Sequence, residues 1–242
     1  MPLSRTILIT AFALAVCIIR PSHGAILVAV DVGHTLEHPG ATSARGETEF
    51  GFNRELAGKI QEALSAAGFA TQLIGEHGMM NALKARTDAA AQAGFFLSVH
   101  HDSMQPHYLS EWKFEGKTLA YGDRFSGFSL FVSRKNAHLA ASLKCASVLG
   151  NRLIQAGFKP SRHHAESIPG ENRPFADEAN GVHYYDDLVV LKTARQPAVL
   201  MEAGIILNRD DELTLRKPAT QEKIAKAVAG ALAVCLGKPP HP

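Results

Sequence analysis

The chain has 242 residues, 46% of them hydrophobic, which is enough for one sizeable core and a tight fit for two. Its formal charge of +2 comes from 25 Lys and Arg against 23 Asp and Glu. It has no basic run and no interleaving of Lys or Arg with aromatics, which excludes a nucleic-acid binder on charge grounds.

Arg5 supplies a short basic start, Ile7 to Ile19 is almost wholly apolar, and Ser22-His23-Gly24 offers small residues before a cut at Ala25. Residues 1–24 therefore read as a secretory signal peptide, with a retained anchor as the alternative. The apolar run is short for a membrane span, so no span is expected after cleavage. The leader holds Arg5 and Arg20 and no acid, leaving 23 basic groups against 23 acidic ones. Cys145 and Cys235 remain, both in apolar helical patterns. In an exported protein they could pair, or they sit as buried thiols on separate helices. Neither has zinc-ligand spacing to the other or to a histidine.

Ile26 to Val30 reads as a buried strand that leaves through Asp31-Val32-Gly33 to His34. Glu37 to Gly46 is a loop. Leu56, Ile60 and Leu64 recur every four residues and predict an amphipathic helix stopped by Gly68. Ala70 to Ile74 predicts a strand, Met79 to Ala93 an Ala-rich helix, and Phe95 to His100 a third strand. This βαβαβ order implies a parallel sheet covered on both faces. Phe128 to Val132, Leu188 to Leu191 and Ala198 to Glu202 read as further strands, and Ala137 to Ala156 and Pro218 to Leu236 as helices. The stretches near 105–127 and 159–187 have little periodicity and read as long, functional loops. The fold class is α/β: a single domain over 25–242, with a mostly parallel twisted sheet flanked by helices on both faces.

Three of the apolar runs end in His34, His100 and Glu202. Ligands of an open parallel sheet bind at the carboxyl edge of its strands, so two imidazoles and a carboxylate would meet at one edge. That is the raw material of a hydrolytic zinc site. His100 and His101 point to opposite faces of a strand, so only one of them faces the site. Glu49, by itself, reads as a carboxylate complementing a helix start. Asp31 either shapes its turn, orients a ligand histidine, or is a plain strand-end Asp. Asn208 before Arg209-Asp210-Asp211-Glu212 reads as a helix cap with structural acids. Arg162-His163-His164-Ala165-Glu166, with His183 further on, has the composition of a metal cluster, and as a loop segment it reads first as polar groove lining.

Val30-Asp31-Val32-Gly33-His34, then Arg45 to Glu49 with Asn53, then Leu97-Ser98-Val99-His100-His101-Asp102, then Pro197 to Asn208 resemble, in order, the four signatures of zinc-dependent N-acetylmuramoyl-L-alanine amidases of the type-3 family. The resemblance implies that His34, Glu49 and His100 are zinc ligands and that Glu202 is the catalytic carboxylate. It implies a Zn2+ cofactor and a peptidoglycan substrate cut between N-acetylmuramic acid and L-alanine, in cell-wall remodelling and daughter-cell separation. A periplasmic or secreted location follows. A monomer is expected, and a protein activator is left open. Val32, Ile205 and His101 depart from the family's usual residues without removing a ligand. Some amidases of this type plug their zinc site with a carboxylate from an inserted segment, a role open here to Glu166, Glu171 or Glu178, with Gln105 to Gly127 as a second lid. A zinc peptidase on related peptides and a non-catalytic wall-binding regulator are the competing readings.

Overall fold

The computed structural model describes residues 25–237, so the expected signal peptide at 1–24 lies outside the described residues. In chain order the elements are β1 (Leu27–Val32), α1 (Glu49–Ala66), β2 (Ala70–Ile74), α2 (Leu83–Ala89), β3 (Phe95–Asp102), β4 (Ser110–Phe114), β5 (Lys117–Tyr121) and β6 (Ser129–Val132). There follow α3 (Leu139–Gln155), β7 (Phe175–Asp177), β8 (Val182–Tyr184), α4 (Val189–Thr193), β9 (Ala198–Ile205), α5 (Arg209–Leu215) and α6 (Pro218–Cys235).

Seven strands form one sheet in the order β2-β1-β3-β9-β6-β8-β7, with β4 and β5 paired separately. β2, β1, β3 and β9 run parallel, as the βαβαβ order requires. β6 runs against β9, β8 runs with β6, and β7 turns back on β8. The sheet is therefore mostly parallel, in a single α/β domain.

Strand alternation divides the core. Val28, Val30, Phe95, Leu97 and Val99 face one way, against Leu56 and Ile60 of α1, Leu149 of α3 and Val228 of α6. Ala29, Phe96 and Leu200 face the other way, against Ala90 and against Val190 and Leu191 of α4. Each fully buried Leu or Phe contributes about 1.5–3 kcal/mol by leaving water, so the two-sided sandwich fixes the register of the central strands.

Several expectations need correction. Leu188 to Leu191 is not a strand: Leu188 caps α4, whose Val190 and Leu191 lie on the sheet face. A short apolar run carries no periodicity to separate the two states. α2 is shorter than Met79 to Ala93, because Ala82 is extended and Met79 is exposed, while Asn81 Nδ2 donates to Glu37 Oε2 at 2.6 Å. The 105–127 stretch carries the β4–β5 hairpin, and 159–187 carries β7 and β8. Of the two readings left open for Cys145 and Cys235, the structure has the pair: a disulfide joins α3 to the end of α6 across 90 residues.

Candidate metal centre

At the carboxyl edge, Gly33 N donates to Val99 O at 3.0 Å and turns the chain out of β1. His34 then takes a left-handed conformation with φ 70°, which costs a non-glycine residue about 1–2 kcal/mol. Arg86 of α2 secures it. The guanidinium is buried, with Nη1 donating to Asp31 Oδ1 at 2.7 Å and to Val32 O at 2.6 Å. Its Nη2 donates to His34 O at 2.5 Å. Asp31 Oδ2 accepts from Ser98 Oγ at 2.7 Å. Asp31 thus shapes the turn and does not touch a histidine ring. Arg86 had no sequence signal, being one arginine in an Ala-rich helix.

Glu49 is the first residue of α1, behind the N-cap Thr48, whose side chain accepts from Gly51 N. Its carboxylate points into the site rather than serving only the helix end. Oε2 lies 3.0 Å from His34 Nε2, and Oε1 lies 3.0 Å from His100 Nδ1. Ala41 N donates to Oε2 at 3.1 Å. Asn53, one turn along α1, donates to Gly33 O at 3.1 Å and to Glu49 Oε1 at 3.3 Å. Strand alternation sends His101 to the α1 face, where its Nδ1 meets Asn53 Oδ1 at 2.8 Å. Burial lowers the His101 pKa to about 4, so the ring is a neutral brace.

Two glycines make the room. A Cβ on Gly33 would stand 2.3 Å from the His100 ring, and one on Gly40 2.3 Å from Glu49 Oε2. Burial alone would raise the Glu49 pKa, but hydrogen bonds to His100 and His34 hold it well below the usual carboxylate range. The donors of His34, Glu49 and His100 lie within 4.8 Å of one another. Two imidazole nitrogens and a carboxylate oxygen fit zinc with a fourth position open. An apolar cleft of about 360 Å³, walled by Leu83, Leu188, Val190 and Leu200, adjoins His34 and His100.

Glu202 of β9 pairs in register with His100. Burial first, then the Asp102 and Glu49 carboxylates, pushes its pKa well above the usual range. Its Oε2 is buried without a hydrogen bond. The four expected site residues therefore gather at one edge of the sheet.

The second loop also reaches this edge. His163 and His164, on a single 3-10 turn, meet Asp102 two residues beyond His100. None of the three candidate plugging carboxylates touches His34, Glu49 or His100. Glu171 Oε2 lies 2.8 Å from His164 Nδ1, Glu166 accepts from Tyr108 Oη, and Glu178 pairs with Arg162. The proximity of His163 and His164 to Asp102 was not predicted.

The model of one protein family, described as N-acetylmuramoyl-L-alanine amidase, matches residues 28–234. A putative N-acetylmuramoyl-L-alanine amidase of Buchnera aphidicola subsp. Baizongia pistaciae is 24% identical over 214 residues, covering 86% of this chain and 94% of the relative. Among solved structures, the amidase Ami1 of Mycobacterium smegmatis is similar with a TM-score of 0.69 at 20% identity, over 88% of this chain and 98% of that one. The CwlD amidase of Clostridioides difficile, solved in complex with the GerS lipoprotein, gives a TM-score of 0.66 at 19% identity, over 88% of this chain and 100% of that one. The signatures read from the sequence, the sheet that carries them and the family match agree: the chain belongs to the N-acetylmuramoyl-L-alanine amidase family.

Proposed function

We propose that the protein is an exported zinc hydrolase that cleaves the amide between N-acetylmuramic acid and L-alanine in peptidoglycan, with His34, Glu49 and His100 holding the metal and Glu202 moving the proton. One observation carries this reading: two imidazoles and a carboxylate converge beside a buried carboxyl with an unpartnered oxygen. Zinc, when bound, supplies a Lewis acid that acidifies water and polarises the scissile carbonyl.

The protein's own groups do the rest. Arg86 and Asn53 fix the His34 turn and the Glu49 carboxylate, so the donors are set before substrate arrives. Glu202, raised by burial and by like charge, is suited to take the proton that the attacking water loses. It can then return that proton to the departing alanine nitrogen. The apolar cleft beside His34 offers a place for substrate flanking the reacting amide.

The disulfide supports export, because such bonds persist in oxidising compartments. The leader-like residues 1–24 point the same way, to a periplasmic or secreted enzyme acting in wall remodelling and daughter-cell separation. The CwlD structure holds a lipoprotein partner, and a protein activator is a fitting partner class here.

The test digests purified peptidoglycan and identifies the products by mass spectrometry, before and after chelation. A new muramic lactyl carboxyl with a new L-alanine amino terminus is expected, and chelation abolishes it. Cuts only between amino acids would indicate a peptidase, and no product would indicate a binding protein. Glu202→Ala should keep its metal and lose turnover by about 10²–10⁴-fold. His34→Ala should lose both.

A further inference from the structure

Outside the His34–Glu49–His100 centre, one other group of metal-type side chains converges among the described residues: Asp102, His163 and His164. Both histidines direct Nε2 at one oxygen. His164 Nε2 lies 2.7 Å from Asp102 Oδ2, and His163 Nε2 lies 3.3 Å from the same atom. Zinc bonds of 2.0–2.1 Å at tetrahedral angles separate neighbouring donors by roughly 3.3 Å. The His163 ring is buried, and its Nε2 makes no hydrogen bond.

The far side of each donor is already held. His163 Nδ1 meets Ser161 Oγ at 2.9 Å, and His164 Nδ1 meets Glu171 Oε2 at 2.8 Å. Glu171 is itself fixed by Gln105 Nε2 at 2.8 Å, and Asp102 Oδ1 accepts from Ser103 N at 2.8 Å. Metal-bound histidines characteristically have the second ring nitrogen tied to an oxygen in this way. Phe125 stacks on His163 and Phe131 meets His164 edge-on, giving the group an apolar wall.

Charge points the same way. Asp102, Glu171 and Glu49 are buried carboxylates, and among the described residues their side-chain partners are histidines and amides rather than Lys or Arg. We infer that Asp102, His163 and His164 form a second divalent-cation site, with Glu171 and Ser161 as its supporting shell. The two-nitrogen, one-oxygen donor set selects zinc over calcium or magnesium. Such an ion fastens the 159–185 segment to the end of β3, beside Glu202. The inference needs the amidase reading only for the first site, and metal counting separates the two.

The experiment uses untagged protein stripped by chelation and re-titrated with zinc alone, with bound metal measured by mass spectrometry. Wild type should hold two equivalents per chain. His163→Gln with His164→Gln should hold one, and His34→Ala with His100→Ala should also hold one. Folding is checked by circular dichroism. Co2+ in place of zinc should give two separable absorption signatures, each lost in one double variant. One equivalent in wild type, lost in the His34/His100 variant, would overturn the second site and leave the first intact. If the His163/His164 variant fails to fold, the His34/His100 variant decides: one equivalent supports the second site and none refutes it.

Discussion

Arg86 reaches three acceptors from one buried guanidinium, and each lies on the turn that presents His34. The left-handed His34 backbone is held against its own preference by these bonds. Arg86→Met should therefore do two things. It strands Asp31 as an uncompensated buried charge, which costs about 3–5 kcal/mol in urea unfolding. It also frees the turn, so zinc affinity should fall about 10–100-fold, as loss of a supporting hydrogen bond does elsewhere. The double variant Arg86→Met/Asp31→Asn should recover part of the stability and none of the affinity. Recovery of both would show that the guanidinium acts only as a counter-ion.

At the scale of elements, the loop before α1 decides where Glu49 sits. Glu212 of α5 is fully buried and accepts from Ser43 Oγ at 2.6 Å and Arg45 N at 3.1 Å, while its other oxygen pairs with Arg45 Nη1 at 2.5 Å. That contact ties the loop carrying Gly40 and Ala41 to the far side of β9. Glu212→Ala should cost about 3 kcal/mol, read by denaturant midpoint. Zinc affinity should fall while helix content by circular dichroism stays unchanged. The central strands could be read from the sequence because each is an apolar run buried on both faces, and their termini announced His34, His100 and Glu202. Glu49 needed the resemblance, since a carboxylate at a helix start has an ordinary electrostatic reason to be there. β7 and β8 escaped detection because a three-residue strand carries no period. With them went the reversal of β6 and β8, whose starts, not ends, lie at the active edge: Ser129 pairs with Glu202, and Val182 with Leu130. That reversal delivers the segment before β8, with His163 and His164, to the same edge as His100.

At the scale of the molecule, α6 covers one face of the core, and its last residue is bonded to α3. Closing a loop of this length stabilises by up to about 4–5 kcal/mol in the chain-entropy account, with about 2–4 typical. Cys145→Ser/Cys235→Ser should lose that amount, and dithiothreitol should lower the melting temperature of the wild type but not of the variant. A terminal helix is ordinarily the part of a fold that frays first. Here the bond ties that end to α3. Before oxidation the same chain lacks that closure, and α6 can peel away and bare Ile224, Val228 and Leu232. The polypeptide is thus two objects in succession: a reduced one whose terminal helix is held by packing alone, and a sealed one whose lifetime is set by how slowly it unfolds.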